Sequence, residues 1–108
     1  MNHIDKCIIR NLLDGRGNPS GGNAFGLGIM ITWQNGPLGK GTERKEPNGA
    51  FVETVIAIAK KRLEFYQNGK FSCTENAEAI RHLQLALEVL DSRTKKREDR
   101  GVEGTHQE

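Results

Sequence analysis

The sequence predicts an α+β fold in which a small antiparallel β-sheet is joined to a long antiparallel αα-hairpin. Apolar residues alternate with polar residues early in the chain, whereas from Asn48 onward they recur at helical spacing. Nine of the 13 glycines lie between Gly15 and Gly41, and residues 50–100 contain only Gly69. We therefore expect one domain over residues 1–108, with a β-rich part (1–47), a helical hairpin (48–100) and a C-terminal tail (101–108).

Alternating apolar residues predict two strands, near residues 3–12 and 25–34. The segment between them, DGRGNPSGGN, is rich in turn-forming residues and predicts a long, flexible hairpin loop. Asn35-Gly36-Pro37 predicts a turn that ends the second strand. A third short strand after this turn is left open.

Helical periodicity predicts helices near residues 49–67 and 73–98. Pro47 and Asn48 suit the start of the first helix, and Asn68-Gly69 suits its end. Ser72-Cys73-Thr74-Glu75 fits a capping box at the start of the second helix. Because about five residues connect two long helices, we expect the helices to be antiparallel.

The chain carries too little apolar surface for a thick core. It has 108 residues, a formal net charge of +2 and 35% hydrophobic residues, with a mean hydropathy of −0.62. Small domains of this kind often complete their core with a partner subunit. The first helix also carries a second apolar face of Phe51, Ile58 and Phe65, which a single partner helix does not cover. That face must meet the small sheet or another subunit, and with the thin core it leads us to expect an obligate oligomer.

Several functional classes are disfavoured by the sequence. No run approaches the roughly 20 apolar residues of a membrane span, and no signal peptide is visible, which favours a cytoplasmic protein. Cys7 and Cys73 form no CxxC pair, and the three histidines lack metal-ligand spacing. Nucleophile and paired-carboxylate motifs are also missing. We expect no metal, no cofactor and no catalysis.

The end of the second helix carries a pattern typical of anion binding. The apolar seam of Ala79, Leu83, Ala86 and Leu90 continues at the same spacing with Arg93, Arg97 and Arg100. The helix dipole explains solvated lysines near a helix C-terminus. Arginines on the packing side point instead to a carboxylate or phosphate partner. Both interpretations remain open from the pattern alone.

Two further groups are candidates for ligand binding. Tyr66, Thr74 and Asn76 flank the helical turn, where a ring and free N–H groups suit a nucleobase and ribose. From the pattern alone, a capped turn covered by Tyr66 is the favoured explanation. Lys40, Arg44 and Lys45 lie in a turn-rich loop that follows Trp33 and leads into the first helix. A solvated charged loop is the alternative for this second group.

Four runs in order resemble a family of phage proteins, the Thoeris anti-defence sponges of the first described type, whose hairpin is shared with anti-CBASS sponges. These runs are WQNGPLG from Trp33, NGAFVE from Asn48, FSCTENA from Phe71 and RGVEGTH from Arg100. The resemblance implies dimers that pair further into hexamers. It also implies sequestration, without cleavage, of the glyco-cyclic ADP-ribose messengers made by bacterial TIR proteins. Related members also hold cyclic di- or trinucleotides of CBASS at separate sites.

The resemblance also implies roles for individual residues. Tyr66, Thr74 and Asn76 would hold the base and ribose, and Arg93 and Arg97 would contact the ligand phosphates. The expected binding set is completed by residues of the loop and the tail, namely Trp33, Lys40, Arg44, Arg100 and Thr105. The tail, which first looks disordered, would then fold over the ligand pocket.

Two other functions compete with sequestration. A small phage regulatory protein would use Lys60, Lys61, Arg62 and the C-terminal arginines on nucleic-acid phosphates, with affinity that falls steeply as salt rises. A ligand-free interaction dimer would instead pair its arginines with carboxylates across the subunit interface.

Overall fold

The computed structural model describes Ile4 and residues 6–106. It contains an antiparallel sheet of three strands in the order β1-β2-β3, followed by two long helices. The elements are β1 (Ile8–Leu13), β2 (Pro19–Gly26), β3 (Ile29–Thr32), α1 (Val52–Gln67) and α2 (Thr74–Asp99). The chain divides into two compact units, one formed by the residues up to Phe51 together with those from Val102 onward, and the other by Val52–Gly101. The α+β class is confirmed.

The predicted hairpin loop over residues 14–23 is wrong, because β2 begins within it at Pro19. A tight turn at Asp14 replaces the long loop: the Asp14 carboxylate accepts hydrogen bonds from the N–H groups of Arg16 at 2.8 Å and Asn18 at 3.0 Å. These backbone N–H groups, that of Asn18 foremost, lower the pKa of Asp14. Strand β2 pairs with β1 through backbone hydrogen bonds. A glycine-rich segment can therefore form this strand without alternating apolar side chains.

The predicted strand over residues 25–34 is instead a second hairpin. Residues 25 and 26 end β2, Leu27 and Gly28 form a turn, and β3 returns so that Phe25 lies opposite Met30. Leu27 is 94% exposed at this turn, and Gly28 adopts a positive φ of 77°. The alternation of apolar residues over 25–34 therefore continues across a turn, which is why the sequence predicted one strand where the structure has two. Residues 3 and 5 of the first predicted strand lie outside the described residues.

Beyond β3 the chain forms an isolated bridge and not a third sheet hairpin. Trp33 pairs in parallel with Ala50, and the N–H of Gln34 donates to the Ala50 carbonyl at 3.0 Å. The optional strand after Asn35-Gly36-Pro37 is replaced by a short 3-10 helix, Gly41–Glu43.

The two predicted helices are confirmed, with small corrections at their ends. Helix α1 begins at Val52, not residue 49, because Ala50 is held in the bridge to Trp33. It ends as expected before Asn68-Gly69. The capping box is wrong: the N-cap of α2 is Cys73, whose sulfur accepts the N–H of Asn76, and not Ser72.

The side chain of Gln67 ties the end of α1 to the start of α2. Its Nε2 donates to the carbonyl of Cys73 and its Oε1 accepts the N–H of Cys73, both at 3.0 Å. This pair of bonds closes the turn between the helices, which pack against each other as a hairpin. Neither helix is long and apolar enough to cross a membrane within the part of the chain that the structure describes.

The thin core expected from composition is evident in side-chain exposure. None of the described side chains is fully buried, and many large apolar ones are more than half exposed. They include Ile8, Ile9, Leu13 and Met30 of the sheet, and Ile58, Phe65 and Val89 of the helices. Apolar surface therefore remains uncovered on both units.

A substitution at Gly22 tests the pairing of β1 with β2. It has a φ of 134°, and a Cβ built there would lie 2.1 Å from the Arg10 carbonyl oxygen. We expect Gly22→Ala to destabilise the protein by at least the roughly 1–3 kcal/mol of such a backbone conformation. Gly15→Ala is the matched control, since a Cβ there meets nothing within 4 Å. Equal melting temperatures for the two variants would contradict this account of the β1–β2 pairing.

Candidate ligand-binding site

The turn of the hairpin holds the first predicted group of binding residues. Tyr66 is half-buried in the last turn of α1, while Thr74 and Asn76 lie in the first turn of α2. The Asn76 side chain already donates through Nδ2 to the carbonyl of Phe71 at 3.0 Å, and its N–H is used by the Cys73 cap. Part of this group therefore holds the turn closed, as the capped-turn interpretation expects.

Arg62 also belongs to this group, although the sequence placed it only among the nucleic-acid contacts of the competing function. Its Nε donates a hydrogen bond to Tyr66 Oη at 3.1 Å, and its guanidinium carbon lies 4.8 Å from the centroid of the Tyr66 ring. The same carbon lies 5.0 Å from the centroid of Phe65. The signal was present in the sequence, because residues three and four positions apart on a helix are neighbours.

The arginine seam at the end of α2 is only partly as expected. Arg97 is half-buried, but Arg93 and Arg100 are exposed. Thr94 continues the half-buried stripe after Leu90, and its hydroxyl donates to the Leu90 carbonyl at 3.3 Å. The prediction that three arginines lie on the packing side is therefore wrong for two of them, because an α-helix of 3.6 residues per turn brings position 94 onto the stripe that position 90 occupies.

The turn group and the arginine group lie at opposite ends of α2. Asn76 precedes Arg93 by 17 residues, and a rise of 1.5 Å per residue separates them by about 26 Å along the helix. A single small ligand does not span that distance. One chain alone therefore does not bring these two predicted groups together.

Two side-chain amides of the first unit, those of Gln34 and Asn48, close the loop that carries Lys40 and Arg44. The Asn48 side chain accepts the N–H of Asn35 at 2.8 Å and donates to the Asn35 carbonyl at 3.1 Å. The Gln34 side chain accepts the N–H of Asn48 at 2.8 Å. Next to these contacts Gly49 lies against Trp33, where a Cβ would come within 2.5 Å of backbone atoms. The WQNG and NGA runs are thus the two ends of one closed loop.

The predicted tail packs onto this loop. The Arg44 guanidinium donates to both carboxylate oxygens of Glu103, at 2.7 and 3.0 Å, and the N–H of Gly39 donates to the Gly104 carbonyl at 2.9 Å. Residues 102–105 are half-buried, so the first impression of a disordered tail is wrong for them. Because Glu103 occupies the Arg44 fork, any ligand anion at Arg44 competes with this carboxylate.

The remaining predicted residues are spread over the first unit. Thr105 turns back on its own segment, since its hydroxyl and its N–H both donate to the Val102 carbonyl. Lys40 is exposed and precedes the 3-10 helix, whereas Trp33 lies at the base of the loop, in the bridge to Ala50. Among the residues that the structure describes, no group of His, Cys, Asp and Glu is arranged to hold a metal ion.

Comparison with known proteins places the hairpin in an established group. A family model described as the Acb2/Tad1 hairpin domain matches residues 27–95. The chain is also 49% identical, over 77 residues, to a curated relative named Thoeris anti-defense 1 from Bacillus phage SBSphiJ7. That match covers 71% of this chain and 51% of the relative, so the chain spans about half the length of this relative.

Proposed function

Because the chain belongs to the Acb2/Tad1 hairpin-domain family, we propose that it is a phage anti-defence sponge, which binds a cyclic nucleotide immune messenger and sequesters it without cleavage. The 49% identity to a Thoeris anti-defense protein carries this proposal. The messenger that we propose is glyco-cyclic ADP-ribose. Cyclic di- and trinucleotides of CBASS are the second ligand class. Sequestration in the host cytoplasm keeps the messenger from its effector.

The side chains of the two candidate groups suit a nucleotide. Stacking of a base on Tyr66 contributes about 1–3 kcal/mol, and Thr74 and Asn76 lie beside it at the turn. Arg93, Arg97 and Arg100 supply guanidinium forks for phosphate oxygens. These groups can bind a nucleotide without a catalytic nucleophile or a general acid. We therefore propose that the role of the protein is non-enzymatic.

The proposed assembly is a homodimer, with pairing into hexamers as the larger form. Ile58 and Phe65, each 64% exposed, and Val89, 68% exposed, form apolar surface on the hairpin that a second copy would remove from water. A second copy also accounts for the separation of about 26 Å between the turn group and Arg93. In an antiparallel pair of hairpins, the turn group of one chain approaches the arginines of the other.

A retention experiment tests the function directly. The purified protein is incubated with glyco-cyclic ADP-ribose and filtered, and the retained fraction is heat-denatured and identified by chromatography. We expect to recover the intact messenger. An untouched messenger in the filtrate would contradict the Thoeris assignment and direct the search to CBASS nucleotides and nucleic acid. A converted messenger would overturn the non-enzymatic role.

Arg93 tests the arginine end of α2. We expect Arg93→Ala to weaken messenger binding by about tenfold or more, because a charge-assisted contact is worth about 1.5–3 kcal/mol. Lys95→Ala is the control, since Lys95 is also exposed on α2 but pairs with Asp91 at 3.1 Å. Calorimetric titration of both variants measures the difference. Equal affinities would move the phosphate contacts away from Arg93.

The tail tests whether the first unit contributes to binding. We propose that the tail, residues 101–108, folds over a bound ligand, and the contacts of Glu103 with Arg44 and of Gly104 with Gly39 support this proposal. Deleting them is expected to weaken messenger binding and to speed its release, because an uncovered ligand is more exposed to water. Dissociation rates of the truncated and full chains compare the two forms. Unchanged affinity and rate would remove the tail from the site.

A further inference from the structure

The turn group as predicted contains no cation. Tyr66, Thr74 and Asn76 are uncharged, and Arg93, the first of the arginines predicted to bind on α2, lies about 26 Å from Asn76 along that helix. A nucleotide bound at the turn nevertheless carries phosphate charge. A cationic side chain that the structure fixes beside Tyr66 would supply the missing partner.

Arg62 is fixed in that position by three contacts on α1. Its Nε bonds to Tyr66 Oη at 3.1 Å, and its guanidinium lies 4.8 Å from the Tyr66 ring and 5.0 Å from the Phe65 ring. The two rings are 5.8 Å apart and inclined by 56°, so the guanidinium is held against both. An arginine that is already ordered loses less conformational freedom when it binds a ligand.

The hydrogen-bonding groups of this cluster are mainly donors. With Nε used by Tyr66, four N–H groups remain on the two Nη atoms, and in the described part of the chain these atoms make no hydrogen bond or ion pair. Tyr66 Oη accepts the Arg62 proton, so its own hydrogen is free to donate. Fixed donors around a positive charge are complementary to an anion such as phosphate.

The neighbouring charges and apolar surface agree with a nucleotide. The carboxylate of Glu64, two residues from Arg62, is engaged by Lys60 at 3.5 Å. Phe65 is 64% exposed and Phe71, in the connection after α1, is 74% exposed. Flat apolar surface next to a guanidinium is the combination that binds a base together with its phosphate.

We propose that Arg62 is a phosphate-binding residue for nucleotide ligands, held in place by Tyr66 and Phe65. This inference deepens the proposed function and rests on its ligand class. It assigns the phosphate contact at the hairpin turn to a residue of the same helix as Tyr66. The contact therefore forms within one chain, whether or not a second copy brings Arg93 to the ligand.

The test measures binding of three probes, ADP-ribose, inorganic pyrophosphate and adenosine, by calorimetric titration. We expect Arg62→Ala to weaken ADP-ribose and pyrophosphate by about tenfold or more and to leave adenosine nearly unchanged. Arg62→Lys gives an intermediate loss, because an ammonium keeps the charge but lacks the planar fork. Lys61→Ala is the matched control, with the same change in charge and no ring contact, and should change each affinity by less than about twofold.

Circular dichroism and the NMR ring signals of Tyr66, the one tyrosine of the chain, establish that each variant is folded. The inference is overturned if Arg62→Ala has no more effect than Lys61→Ala, or if the wild-type protein binds none of the three probes. It is also overturned if adenosine binding falls as far as pyrophosphate binding, because Arg62 would then act only by orienting Tyr66.

The same variants separate this inference from the proposed function. If Arg62→Ala retains glyco-cyclic ADP-ribose as well as the wild-type protein, only the role of Arg62 is lost. If the wild-type protein binds pyrophosphate through Arg62 but does not retain the messenger, the role of Arg62 stands and the sponge function fails.

Discussion

The exchange of hydrogen bonds between Asn48 and the Gln34-Asn35 pair is the constraint on which the first unit depends. Asn48 is 13 residues from Asn35 and 14 residues from Gln34 in the sequence. These bonds lie next to the isolated β-bridge between Trp33 and Ala50. An amide side chain can accept and donate at once, so Asn48 satisfies both backbone groups of Asn35. The loop thus closed carries Gly39 and Arg44, to which residues 102–105 attach. The loop to which the C-terminal segment attaches is therefore closed by two side-chain amides, those of Gln34 and Asn48, which are far from that segment in sequence.

The helices could be predicted from the sequence because their information is local. Val55, Ile56, Ala59 and Leu63 repeat at helical spacing, and Asn68-Gly69 marks the end of α1. Strand β2 could not be predicted, because Pro19, Gly22 and Asn23 pair with β1 through the backbone and leave no apolar alternation to detect. The start of α1 was missed for a related reason. Asn48 was interpreted as a helix cap, whereas its side chain is used by Asn35, a contact that no local pattern encodes.

The candidate site also has parts that a local sequence pattern predicts and parts that depend on contacts distant in sequence. The turn group followed from the positions of the helix ends, and the anionic ligand class from arginine content. The phase of the arginine stripe needed the measured burial, since Thr94 and not Arg93 follows Leu90. Glu103 was invisible because its partner Arg44 is 59 residues away. Arg62 had a local signal, but a cation on a charged helix face is usually solvated, and only the distances to Tyr66 and Phe65 distinguish it.

The division of the chain into units has a consequence for the order of folding during synthesis. The hairpin, Val52–Gly101, is continuous in sequence, so its contacts are close along the chain and form early. The first unit is discontinuous, and the Arg44–Glu103 pair joins its two parts. That pair forms only after residue 103 has left the ribosome. The nascent chain therefore exposes the whole hairpin before the Arg44–Glu103 pair can join the two parts of the first unit.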